Sequence, residues 1–438
     1  MSIELTADQA RPVPQDSYLF GPGAAWFAYA MTLGLMVMDY VDRQVIVSLF
    51  PHMKAEWGLS DTQLGGLVSI VSVTVALGAL PIALFADRAS RVRSIVAMAL
   101  VWSMATISCM FTRSYQGLLA ARGAVGLGEA GYGSVGAALI ASHFPARLRG
   151  ALMAGFFASA SIGSVVGVML GGLIAARWGW KSAFGLVGVP GLVLALLYLR
   201  VRDYRTVALT PALDRATRSV GGVTRHVWRA LTRPTTMMYV CLGAAAQLVV
   251  VSALWSWLPS FLNRVHGIPA DQAGVRAALV VLCGAVGSVA WGALVDRAGN
   301  RRPRNKLLTM AGLCLLSMVV LSVPFAAPAL GFALSPQTQF GLIAAGSFVV
   351  TCTVGPVSAV VIDVIHPGVR ATGSSVLALF QNLFGLAAGP LVAGLLSDAF
   401  GLTLALAVTP LFSIFAAIAF VRAARTYESD AARASDPH

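Results

Sequence analysis

The stretch Ala121–Gly136, ARGAVGLGEAGYGSVG, lies inside an apolar segment that runs from about Tyr115 to Phe144. About 20 apolar residues suffice to cross a bilayer, so this segment is long enough to span one. Within it Arg122 and Glu129 are seven residues apart, two helical turns. Both heads therefore leave one face of a helix, ~10.5 Å apart along its axis. Six glycines fall between Gly123 and Gly136. Glycine lets neighbouring helices approach closely and exposes backbone to a cavity. A charge at mid-membrane costs ~2.5–3.5 kcal/mol even on a lenient scale, so such residues face a bundle interior or a water-filled path. Two roles fit this pattern: a structural ion pair that locks helices together, or a binding and coupling site.

Composition supports the membrane setting. Of 438 residues, 57% are hydrophobic and 11% charged, whereas a soluble domain carries about 25% charged residues. The mean hydropathy is +0.78. The five cysteines all fall in apolar segments without a CxxC pair, which argues against a disulfide framework or a zinc site. The six histidines form no HExxH-type pair, so neither metal nor cofactor is expected. The polar N-terminus lacks a signal-peptide pattern and reads as a cytoplasmic tail.

Twelve segments qualify as spans: 24–49, 62–86, 94–112, 115–144, 148–176, 182–199, 236–262, 270–295, 307–328, 336–365, 370–397 and 401–421. With the N-terminus inside, the outer loops hold only Lys54, Arg113, Arg177, Lys181 and Arg264, and the spans hold Arg43, Arg122 and Arg276. All other lysines and arginines among the 31 fall on the cytoplasmic side. That bias sets both termini inside, and the net charge of +13 reflects membrane orientation rather than nucleic-acid binding.

The expected domains are a tail at 1–23, an N-terminal six-helix bundle at 24–200, a basic linker at 201–235, a C-terminal six-helix bundle at 236–425 and a tail at 426–438. Within the linker, 224–231 suits either an amphipathic helix on the inner leaflet or a solvated connection. An internal repeat supports the division. Ala83–Arg93 (ALFADRASRVR) matches Gly292–Arg302 (GALVDRAGNRR), and His143–Gly150 (HFPARLRG) matches His366–Gly373 (HPGVRATG). Gly163–Gly172 and Gly385–Gly394 are similarly glycine-rich. Parallel repeats of this kind place substrate between the halves near the midplane.

The first span adds Asp39, Asp42 and Arg43 on one broad helical face. At 1.5 Å per residue, Asp42 and Arg122 both lie ~10 Å below the outer ends of their spans. Each therefore has an opposite charge at matching depth to offset its burial. Asp39 and Glu129 lie deeper. The C-terminal half offers neutral groups instead, with Gln247, Trp255, Gln381 and Asn382 as candidate cavity-lining residues and packing as the plainer role for the aromatics. A carboxylate beside an arginine can change proton affinity with exposure, which suits coupling to a proton gradient. Arg43 and Arg122 can also hold an anionic substrate group. The paired D-R turns, Asp87, Arg88 and Arg91 with Asp296, Arg297 and Arg301, read as a conformational gate or as simple basic anchors. Asp363 stands near enough in the sequence pattern to pair with the second set. An acid can also sit at another helix's positive N-terminus.

These D-R turns, the proline–arginine–glycine run before the fifth span and the glycine patterns resemble the major facilitator superfamily across nearly the whole chain. DRQ at Asp42–Gln44, GLSDTQLG at Gly58–Gly65 and ARGAVGLGEAGYG at Ala121–Gly133 resemble the spinster family and its bacterial relatives, mainly over the first six spans. The chain departs from the pattern at Asp39, where relatives often carry asparagine, and at Ala83 and Ser90, where glycine is usual. The resemblance implies an all-α membrane protein of twelve transmembrane helices in two six-helix bundles, working by alternating access. It implies that residues matching Asp42, Arg43, Arg122 and Glu129 line a central cavity and serve proton-linked movement of a small organic or amphiphilic, lysolipid-like solute. The main rival substrate is a soluble organic anion. A receptor or a membrane enzyme is the rival class, but no nucleophile with its base, metal set or ATP-binding motif is present. The expectation is thus a non-enzymatic symporter or antiporter without cofactor beyond the proton gradient. Its expected partners are the substrate and membrane lipids, with no nucleic acid, and its expected form is a monomer in the bacterial cytoplasmic membrane.

Overall fold

The computed structural model describes residues 18–88, 90–203, 235–332, 334–365 and 370–435. The side chains of Asp87, Arg88 and Arg370 are outside that description, as are most of the linker and residues 366–369 of the second repeat motif. Among the described residues the chain is helical, without strands. Among those residues, eleven helical segments are long and apolar enough to cross a membrane.

The N-terminal half runs α1 (Pro22–Val45), the short α2 (Phe50–Trp57), α3 (Asp61–Arg88), α4 (Arg91–Cys109), α5 (Tyr115–Glu129), α6 (Tyr132–His143), α7 (Ala146–Trp178) and α8 (Trp180–Tyr198). The C-terminal half runs α9 (Thr235–His266), α10 (Ala270–Gly299), α11 (Asn305–Ala329), α12 (Pro336–Val350) and α13 (Pro356–Val364). It ends with α14 (Arg370–Phe380), a π-helical turn at Gln381–Leu386, α15 (Ala388–Phe400), α16 (Leu402–Val408) and α17 (Phe412–Ser435). The last helix continues through the segment expected to be a C-terminal tail.

Two expected spans are interrupted. The fourth turns directly after Glu129 but continues as one membrane-length segment, Tyr115–His143: Ala130 is extended and Gly131 takes φ +86°, a left-handed turn that glycine adopts without steric cost. The tenth breaks at 351–355 into α12 and α13, neither long enough to cross alone, which is why eleven rather than twelve helices qualify. With His143 and His366 matched in the repeat, Ala130 corresponds to Thr353, so both halves break at one level.

The glycines of the quoted stretch bring α5 against its neighbours. A Cβ on Gly126 would stand 2.5 Å from the Val71 carbonyl oxygen of α3, and one on Gly128 would stand 2.5 Å from the Trp102 nitrogen of α4. Backbone contact of this closeness fixes the rotation of α5 and points Arg122 and Glu129 toward α1.

The two halves meet through α3 with α15 and α7 with α10. Each pair crosses at small residues. A Cβ on Gly65 would lie 2.4 Å from the Pro390 oxygen, and one on Gly172 would lie 2.6 Å from the Ala270 oxygen. Both crossings lie toward the end of the bundle that carries few arginines, here called the arginine-poor end.

Candidate functional site

Asp42 and Arg122 meet in the core of the N-terminal half, 2% and 0% exposed. Arg122 Nη1 donates to Asp42 Oδ1 at 3.1 Å and to the Asp42 carbonyl oxygen at 3.3 Å. The other carboxylate oxygen accepts from the hydroxyl of Thr106 on α4. Among the described residues, Arg122 Nε and Nη2 have no hydrogen-bond partner. A fully buried pair of this kind joins α1, α4 and α5.

One turn away lies a second group. Arg43 Nε stands 2.9 Å from Asp39 Oδ1 and 3.0 Å from Glu129 Oε2. The Arg43 side chain is 16% exposed, and its guanidinium lies 5.4 Å from the centre of the Tyr40 ring. Arg43 is thus the cation of this cluster whose side chain keeps some exposure. Asp39 receives a well-formed hydrogen bond from Arg43. Neither oxygen of Glu129 has such a bond among the described residues, although Glu129 is only 2% exposed. Glu129 is also the last residue of α5, at the negative end of the helix dipole, where another negative charge is disfavoured.

The two layers together hold three carboxyl groups, Asp39, Asp42 and Glu129, against two guanidiniums. Fully ionised, the cluster carries one uncompensated negative charge in a buried site, and an unpaired buried charge is costly. One bound proton removes that charge.

The neutral residues expected from the C-terminal half are placed differently from one another. Gln247, expected to line a cavity, is fully buried in this conformation. Its Nε2 donates to Ser317 Oγ and to the Val350 carbonyl oxygen, both at 3.0 Å. The physical reason is the break after Val350. A helix that stops leaves its last carbonyls unpaired, and Gln247 supplies a donor. Trp291 does the same for Phe348 at 2.8 Å. Trp255 is half-buried and donates to Ser347 at 3.3 Å, while Trp257 is fully buried and donates to the Pro390 oxygen. Gln381 and Asn382 are half-buried on the π-helical turn. A π-helical turn inside a helix is rare and recurs at functional sites.

At the arginine-rich end, Arg91 is half-buried, whereas Asp296, Arg297 and Arg301 are exposed. Asp363 does not take the arginines of its repeat as partners. It accepts from Lys306 Nζ at 3.1 Å and from the Tyr427 hydroxyl at 2.6 Å. The Lys306 stem lies over Gly299, which directs its ammonium group to Asp363.

Sequence reasoning missed Thr106 and a polar network at the arginine-poor end. Asp61 there, 2% exposed, is approached by Lys54 Nζ at 2.6 Å and Arg264 Nη1 at 2.7 Å, and accepts from the Ser397 hydroxyl. The available signal was an acid at the first residue of one apolar helix and another, Asp398, near the end of a second.

Comparison with known proteins agrees with this architecture. The sequence profile of the Major Facilitator Superfamily matches residues 32–388. The MFS-type efflux pump of Mycolicibacterium smegmatis (strain ATCC 700084 / mc(2)155) is 28% identical over 398 residues, 90% of this chain and 89% of that protein. The gallate transporter of Pseudomonas putida is 26% identical over 90% of this chain and 91% of its own length. The crystal structure of a bacterial homolog to the human lysosomal transporter Spinster, inward-facing and unoccupied, superposes with a TM-score of 0.81 at 23% identity, covering 93% of this chain and 98% of that one. With a profile match over most of its length and eleven membrane-length helices, the chain belongs to the major facilitator superfamily and is a transporter, not an enzyme.

Proposed function

We propose that this protein is a proton-coupled secondary transporter in which Glu129 carries the proton and Arg43 exchanges partners. The observation that carries the reading is the sharing of one guanidinium between Asp39 and Glu129, at 2.9 and 3.0 Å, while Glu129 lacks any hydrogen-bond donor. When Glu129 binds a proton, Arg43 keeps Asp39 and releases its second carboxylate. With the Glu129 charge removed, the terminal nitrogens of the guanidinium take one anionic group of the solute, in the planar geometry that suits a carboxylate or a phosphate. Loss of the proton returns Arg43 to Glu129 and expels that group. Proton and anion therefore occupy the site together.

The solute is a small organic or amphiphilic molecule with one anionic group. The relative named as a gallate transporter supports a soluble aromatic acid. The resemblance of the first six spans to the spinster family implies, as the alternative, a lysolipid headgroup with the same charge. The chain works as a monomer with twelve spans in two six-helix bundles, the interrupted α12–α13 segment serving as the tenth. It resides in a bacterial cytoplasmic membrane with both termini on the cytoplasmic, arginine-rich side.

Proteoliposomes with an imposed proton gradient test the reading. Radiolabelled gallate and a short-chain lysophosphatidate serve as the two arms. Gradient-driven accumulation of either in the wild-type protein is expected, with only equilibration by Glu129→Gln. Full accumulation by Glu129→Gln refutes Glu129 as the carrier.

A further inference from the structure

The start of α3 is held from the other half of the molecule. Asp398, near the end of α15, accepts from the Asp61 backbone nitrogen through Oδ1 at 2.8 Å and from the Thr62 backbone nitrogen through Oδ2 at 2.8 Å. The Thr62 hydroxyl donates to the same Oδ2 at 2.7 Å. The first N–H groups of a helix have no partner within it, and a carboxylate placed there gains both their hydrogen bonds and the dipole. Ser60 already caps the next position, accepting from the Gln63 nitrogen at 3.1 Å. Asp398 thus completes, across the interface, a cap that the local sequence leaves unfinished.

The contact continues on both sides. Asp61 reaches into the C-terminal half to Arg264 on α9 and Ser397 on α15, and Lys54 from its own half balances the charge. A Cβ on Gly394 would stand 2.5 Å from the Asp61 carbonyl oxygen, so the backbones touch at this level. Deeper along the same pair of helices, the Ser69 hydroxyl donates to the Ala387 carbonyl oxygen beside the π-helical turn. These hydrogen bonds and ion pairs join the two halves at the arginine-poor end. They sit opposite the D-R turns, where an acid on a helix N-terminus was anticipated.

We propose that Asp398 and Asp61 are positioning residues for the transport cycle. They form a two-acid latch that holds the arginine-poor end closed and must break each time the site opens to that side. Separation exposes the N-terminus of α3 and leaves Asp398 without its backbone donors, so the latch favours the closed state. The inference rests on the alternating-access reading above but not on proton coupling or on the solute.

Double electron–electron resonance between spin labels at Phe111→Cys and Phe400→Cys, exposed sites in the two halves, reads the opening without substrate. It is run on the full-length protein with its native cysteines changed to serine. Asp398→Asn keeps the shape but removes the charge and turns one accepting oxygen into a donor, and should raise the ratio of the long-distance to the short-distance population about fivefold to tenfold, as loss of one hydrogen bond does. Arg264→Gln should shift it in the same direction. Asp271→Asn, an acid at the same end outside the network, should leave it unchanged. Unaltered distances in both Asp398→Asn and Arg264→Gln overturn the latch, as does an equal shift in Asp271→Asn. If Asp398→Asn fails to fold, Arg264→Gln decides alone. A widened distance without gradient-driven transport leaves the latch standing and removes only the coupling proposal.

Discussion

Arg122 Nη1 stands 3.1 Å from Asp42 Oδ1, and neither side chain reaches solvent. Of the two roles open to Arg122 from the sequence, the geometry favours joining helices over binding a solute. Arg122→Lys should therefore retain wild-type substrate affinity. Arg122→Gln should lower stability by about 3–5 kcal/mol, because it leaves the Asp42 charge buried without its partner. Thermal unfolding in detergent and apparent affinity in proteoliposomes check the pair. A stable Arg122→Lys protein with weakened affinity would return Arg122 to the binding site.

The test of head geometry belongs instead to Arg43, whose side chain is partly exposed. Lysine can pair with Asp39 but cannot offer a planar two-donor fork. Arg43→Lys should fold normally and lose about ten- to a hundredfold in apparent affinity, the consequence of losing a charged hydrogen bond worth ~1.5–3 kcal/mol. Unchanged affinity argues that the solute's anionic group binds elsewhere.

Asp39 and Glu129 share one arginine but differ in their hydrogen bonding, and the difference assigns their roles. Asp39 is held by Arg43 Nε in a directed bond, whereas Glu129 has no donor. Asp39→Asn should keep gradient-driven accumulation, with altered affinity because Arg43 is less firmly placed. Glu129→Gln should lose accumulation. Uptake against a gradient, measured for both variants side by side, separates them; the reverse result would make Asp39 the carrier.

Gln247 offers a contrasting case, a buried neutral group with a structural task. Gln247→Leu removes the donor from the Val350 carbonyl and from Ser317. Leaving a buried acceptor unpaired costs about 1–3 kcal/mol. A lowered melting temperature with KM unchanged is the expected outcome. A large rise in KM at unchanged stability would place Gln247 against the solute after all.

The sequence alone determined much of this. Hydropathy located membrane-crossing segments, and arginine counting distinguished the two ends. Helical spacing and rise placed Asp42 and Arg122 at one depth, and the structure has them in contact. Those inferences depend on quantities that run along a helix. Tertiary structure decided what depends on the rotation of one helix against another. It paired Asp363 with Lys306, set Thr106 on Asp42 and buried Gln247 beneath a helix break that hydropathy had read as continuous. It also put the acid-capped helix N-terminus at Asp398, opposite the D-R turns. Hydropathy cannot register such features, because a glycine turn or a π-helical turn leaves an apolar window equally apolar. An ion pair, however, forms or fails over a difference of an ångström or two, set by which glycines let two backbones touch.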